Sequence, residues 1–112
     1  MAATHEDARL VVDIARWGTE MGVDKSYREL FSNKFDPAAA SVDDEAVHKV
    51  LNFGETIGTL VKQGVLDRGL VLDIWWVRGL WDRVQQAAKR ERDRVGEQRL
   101  YENFEALAGS AT

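Results

Sequence analysis

SVDDEAVHKVLNFGETIGTLVKQGVLD, residues 41–67, is the stretch on which the reading of the fold turns. Ser41 stands ahead of Asp43, Asp44 and Glu45, so a hydroxyl and three carboxylates meet the positive end of a helix dipole. Val47, Val50, Leu51, Gly54, Ile57, Gly58 and Val61 then recur at spacings of three and four, which is one face of a helix over residues 42–63. Gly64 stands where a left-handed C-terminal glycine belongs, and Asp67 is placed to cap the next helix three residues later. So short a connection makes the two helices antiparallel neighbours.

Towards the C-terminus, Leu70, Ile74, Val77, Trp81, Val84 and Ala88 alternate spacings of four and three, a sustained packing seam. This pattern predicts a long central fourth helix over residues 67–93. The run Lys89-Arg90-Glu91-Arg92-Asp93-Arg94 reads as its solvated charged end, and for the basic cluster from Lys89 to Arg99 capture of an acidic ligand or phosphate is the rival reading. Gly96 breaks the helix, and Leu100, Tyr101, Phe104 and Leu107 share one side of a last helix over 97–108. Towards the N-terminus, Thr4 and Asp7 form a weak capping box before Leu10, Val11, Ile14, Trp17 and Met21, giving a first helix over 5–21 that Gly22 stops. Tyr27, Leu30 and Phe31 suit a short helix over 25–32, and Pro37 marks the long connection that follows. No segment alternates with a period of two, and no internal repeat is visible. The expectation is one all-α domain spanning 1–112, a bundle of four to five helices.

Composition agrees with a globular chain: 45% of the 112 residues are hydrophobic and 30% are charged. The absence of cysteine removes thiol catalysis, Cys-ligated zinc and disulfides, and fits a reducing compartment. A net charge of -4 weighs against nucleic-acid binding by phosphate neutralisation. No apolar run approaches the length of a membrane span, and Met1 to Asp7 lack the basic and apolar regions of a secretory signal. A cytoplasmic location without membrane association is expected.

Candidate chemistry is sparse. Glu45 and His48 have the Glu-x-x-His spacing that di-iron bundles use to project two ligands from one face, making a metal-binding bundle an alternative. The second copy such sites need is missing, because the other histidine is His5. Ser26, Ser32, Ser41 and Ser110 lie in no nucleophile-elbow context, and no glycine loop suits a nucleotide. The expectation is a non-enzymatic chain with no cofactor. Gly54 and Gly58 read instead as helix-packing residues, admitting a bulky neighbour such as Trp81 of the fourth helix.

Four tryptophans, two of them adjacent, are the most informative residues. Neighbouring side chains on a helix diverge by about 100°, so one packed face cannot take both Trp75 and Trp76. If the seam turns inward, Val71, Trp75, Trp76 and Arg78 form a surface for a second copy or another protein. A homodimer is the commonest outcome. Enclosure of the Trp-rich stretch within the chain's own core, and an apolar small-molecule pocket lined by Trp75, Trp76 and Trp81, are the rivals.

The segment from Leu51 to Asp67, the Trp-rich helix and the closing Tyr101-Glu102-Asn103-Phe104-Glu105-Ala106-Leu107 together resemble a bacterial helical family known only as a domain of unknown function. The shared pattern is a Phe-x-Glu helix, a glycine turn with Leu-Asp, a Trp-bearing helix and a Phe-Glu-x-Leu helix. The resemblance implies an all-helical architecture and brings no activity, cofactor or catalytic residue. Many members of that family carry an N-terminal membrane helix, whereas the first helix here is polar and amphipathic.

Overall fold

Reciprocal bonds between Thr4 and Asp7 open the first helix. The Asp7 amide donates to the Thr4 hydroxyl at 3.1 Å, and the Thr4 amide donates to the Asp7 carboxylate at 2.7 Å. The computed structural model describes residues 2–110, and among them every regular element is a helix. The order is α1 (His5–Met21), α2 (Val23–Leu30), α3 (Glu45–Lys62), α4 (Arg68–Ile74), α5 (Val77–Val95) and α6 (Glu102–Gly109). These are six helices rather than four or five.

Gly22, at φ 78°, ends α1 and starts α2 at once, so the second helix begins earlier than its apolar spacing suggests. After the connection containing Pro37, a turn is tied by the Ser41 amide donating to Asp44 and the Asp43 amide donating to the Ser41 hydroxyl. Ser41 therefore shapes the turn, and α3 starts only at Glu45. Asp67 caps α4 as expected, accepting from the Leu70 amide at 2.9 Å. Its own backbone N–H donates to Asp7 at 3.0 Å, which fastens the start of α4 to the start of α1.

Two expectations fail at one place. The predicted fourth helix is broken at Trp75 and Trp76, and the central element is α3, which packs against α2, α5 and α6. Val77, Trp81, Val84 and Ala88 keep their inward seam on α5, whereas Ile74 faces outward at 47% exposure. The last helix also begins later than expected. Gly96 ends α5, and the chain turns through Leu100 before Tyr101, in the left-handed region at φ 60°, starts α6. Val47, Val50, Leu51, Leu30, Val71, Val84 and Phe104 form the fully buried centre.

The charged end of α5 is less solvated than its sequence suggests. Arg83 donates to the Leu30 carbonyl at 2.7 Å, Arg90 donates to the Ala40 carbonyl, and Arg92 donates to the Leu100 carbonyl at 2.7 Å. Three arginines of one helix thus hold the end of α2, the α2–α3 connection and the α5–α6 connection. Arg92 is only 7% exposed, pairs with Glu105 at 2.8 Å, and lies over the Trp81 ring. A guanidinium suits this task because its fork of donors can serve a carbonyl and a carboxylate together.

Candidate functional site

The junction between α4 and α5 gathers the residues that sequence reasoning singled out. Trp75 adopts an extended backbone (φ -115°, ψ 138°), and Trp76 sits at φ -81°, ψ 70°. The Val77 amide donates to the Trp75 carbonyl at 2.9 Å, so Trp76 is the centre of an inverse γ-turn. The turn gives the two indoles separate environments, which a continuous helix could not do. Trp75 turns inward and meets Phe53 edge to face at 5.9 Å, while Trp76 is left 68% exposed.

This separates two indoles that the sequence places together on an interaction surface, because the turn interrupts the helical phase on which both were placed. Val71 also leaves the proposed surface, since it is fully buried. Trp75, Trp76 and Arg78 do come together along one shallow groove beside Leu72 and Asp73. Trp81 lies apart, in the core against Phe104 at 5.2 Å, so the three tryptophans do not line a common pocket.

Trp76 has a partner that the sequence did not reveal. Its ring stacks on Phe31 at 5.4 Å with an interplanar angle of 10°, and Phe31 is itself 43% exposed. Arg83 reaches over both Phe31 and Phe35, with its charge 5.6 Å and 5.2 Å from the two rings. Gly79 completes the arrangement, because a Cβ there would lie 2.3 Å from the Trp76 indole. The apolar spacing groups Phe31 with Tyr27 and Leu30 on a short helix over 25–32, whereas α2 ends at Leu30 and Phe31 lies just beyond it.

A second constellation joins α3 to α6. The Glu55 carboxylate accepts from the backbone amides of Asn103 and Phe104 at 3.0 and 2.9 Å, and from the Asn103 side chain at 2.9 Å. It thereby caps the first turn of α6 from another helix. Gly54 and Gly58 make the contact possible: a Cβ at the first would lie 2.4 Å from the Phe104 ring, and one at the second 2.4 Å from the Asn103 carbonyl oxygen. The glycine face serves close packing, but its neighbour is α6 rather than a tryptophan of the fourth helix. Gly54-Glu55 and Asn103-Phe104 belong to the two ends of the motif pattern, and here they touch.

Glu45 and His48 are exposed near the start of α3. Glu45 pairs with Lys49 at 2.7 Å, which holds its carboxyl below the usual range, and the His48 ring shares a hydrogen bond with Asn52 at 3.0 Å. No group of three or more potential metal ligands occurs among the described residues. None of their helices is long and apolar enough to cross a membrane.

The architecture defines a small all-helical domain in which a central helix is clasped by a short C-terminal one. The chain belongs to the family described as a domain of unknown function (DUF4760), whose sequence profile matches residues 3–110. No curated protein and no solved structure matches the chain.

Proposed function

We propose that the chain is a non-catalytic interaction module that forms a homodimer through the surface around Trp76 and Phe31. The observation that carries this reading is the stacked, outward-facing aromatic pair held in place by Gly79 and Arg83. An isolated exposed apolar side chain needs no explanation, but a pre-ordered aromatic pair, with Ile74 also exposed two residues before Trp76, is a patch. Burial of an aromatic side chain covers ~200 Å². The exposed 68% of Trp76 therefore offers ~130 Å² per copy, or ~3 kcal/mol at 25 cal/mol per Å². Two such rings, with Phe31 and Ile74 from each copy, can offset association costs of the order of 4–15 kcal/mol.

A second copy is favoured over an unlike partner because the rim carries both signs. Arg78 stands beside Trp76 and pairs with Asp82 at 3.7 Å, with Asp73 on the other side of the junction, so a two-fold axis can set opposite charges against each other. The test is Trp76→Glu. A charge at this exposed position is tolerable in water and unfavourable in a buried contact. The variant is expected to remain helical by circular dichroism and to elute at half the native mass. An unchanged mass would overturn the proposal.

A further inference from the structure

The turn between α3 and α4 brings two cations to one cleft. Lys62 is the last residue of α3 and Arg68 the first of α4. Between them Gly64 takes φ 75°, and the Val65 and Leu66 amides both donate to the Leu60 carbonyl, at 3.0 and 3.2 Å, so the chain reverses sharply. With Gly58 and Val61 of α3 and Asn103 and Leu107 of α6, the two cations line an open cleft of about 180 Å³. Gly58, and Ala106 next to Leu107, leave this space because neither has a side chain long enough to fill it.

The charge of the cleft runs against that of the chain. No carboxylate belongs to its lining, although the net charge is -4. Neither Lys62 nor Arg68 forms an ion pair with a described residue. Arg68 also borders a hollow that holds Asp7 and Asp67, but Asp7 is engaged by the Thr4 and Asp67 amides and Asp67 by the Leu70 amide. Glu55 is engaged in the same way, by the Asn103 and Phe104 amides and the Asn103 side chain. A cleft lined by charge of one sign over an apolar wall concentrates its counter-ion. Both cations are exposed, so their long side chains are free to close on an anion at the rim without abandoning a partner.

We propose that this cleft binds a small organic carboxylate, whose apolar body lies against Val61 and Leu107 while Lys62 and Arg68 hold its charge at the rim. The walls set its size. A cavity of about 150 Å³ is enough for benzene, so 180 Å³ admits one ring or a short branched chain. Asn103 fixes the direction, because its side-chain nitrogen already donates to Glu55 at 2.9 Å and to Thr59 at 3.1 Å, leaving only an oxygen that a carboxylate avoids. The site shares no residue with the groove beside Trp76 and does not depend on dimerisation.

The probe is benzoate, titrated at constant ionic strength into the native chain while amide NMR signals are followed. Saturable shifts are expected at Val61, Lys62, Arg68 and the Asn103 side-chain amide. Benzyl alcohol keeps the ring without the charge, and inorganic phosphate keeps a charge without the ring. Each should bind at least about fivefold more weakly than benzoate. Lys62→Gln combined with Arg68→Gln should weaken benzoate by about the same factor and leave benzyl alcohol unchanged. Ala106→Leu, at an exposed position of α6, fills the cleft and should abolish the shifts while the thermal midpoint holds. The proposal is overturned by a lack of saturable shifts at these residues, by phosphate or benzyl alcohol binding as tightly as benzoate, or by full benzoate affinity in either variant.

Discussion

Replacing Gly58 with alanine should destabilise the chain, although alanine is the better helix former. In an open helical position the change would stabilise by about 1 kcal/mol. Here the new Cβ would stand 2.4 Å from the Asn103 carbonyl oxygen and 2.9 Å from the Phe104 nitrogen. Both are backbone atoms at the start of α6, so no side-chain rotation can relieve the clash. The helix terminus has to withdraw, at an overpacking cost of about 1–3 kcal/mol. Withdrawal also strains the amide bonds to Glu55 at 3.0 and 2.9 Å, and hydrogen bonds to a charged group contribute about 1.5–3 kcal/mol each. Loss of the equivalent of one such bond, set against the propensity gain, leaves a net destabilisation of about 2–4 kcal/mol. Urea unfolding followed by circular dichroism measures it, with Gly109→Ala as a control because a Cβ there meets nothing within 4 Å. Greater stability in Gly58→Ala would refute the reasoning and place α6 away from the glycine face.

Two other perturbations address the same framework. Glu55→Gln keeps the shape of the side chain and removes its charge, so it should lose about 1–3 kcal/mol in urea unfolding and release amide protection first in α6. An unchanged midpoint would mean that Glu55 does not cap that helix. Asp7 is held below its ordinary pKa of 3.8, first by the Thr4 amide, then by the Thr4 hydroxyl, and also by the Asp67 amide. Since the folded value is the lower one, its contribution is present above the unfolded pKa and fades as pH falls through the folded one. A carboxyl NMR titration should show a midpoint below 3.8, and one at or above 3.8 would contradict the double cap.

How much was legible in the sequence depended on whether a signal was local. Thr4, Gly22, Gly64 and Asp67 act on backbone within a few residues of themselves, and each marks a helix end as its chemistry requires. The glycine face of α3 was legible as a close-packing surface for the same reason. Its occupant was not, because the contact with Asn103 and Phe104 spans more than forty residues and no periodicity encodes it. The break at Trp75 and Trp76 escaped because the apolar spacing continues across it from Ile74 to Val77. Only the competition of two large adjacent rings for one face hinted at it. That competition leaves enclosure by the chain itself and cover by a second chain both open, and the backbone answers it with a γ-turn that sends one ring inward and leaves the other on Phe31. The roles of Arg90 and Arg92 were hidden in the same way, since a run of mixed charge does not disclose which members reach loop carbonyls.

The exposed aromatic pair is the centre of the functional account, and the mass of the native chain in solution tests it most directly. Sedimentation equilibrium from one to one hundred micromolar should approach about 25 kDa, twice the 12.6 kDa of the chain, with dissociation towards the lower concentrations. A mass of 12.6 kDa across the whole range would contradict the account and leave Trp76 and Phe31 without a second copy to cover them.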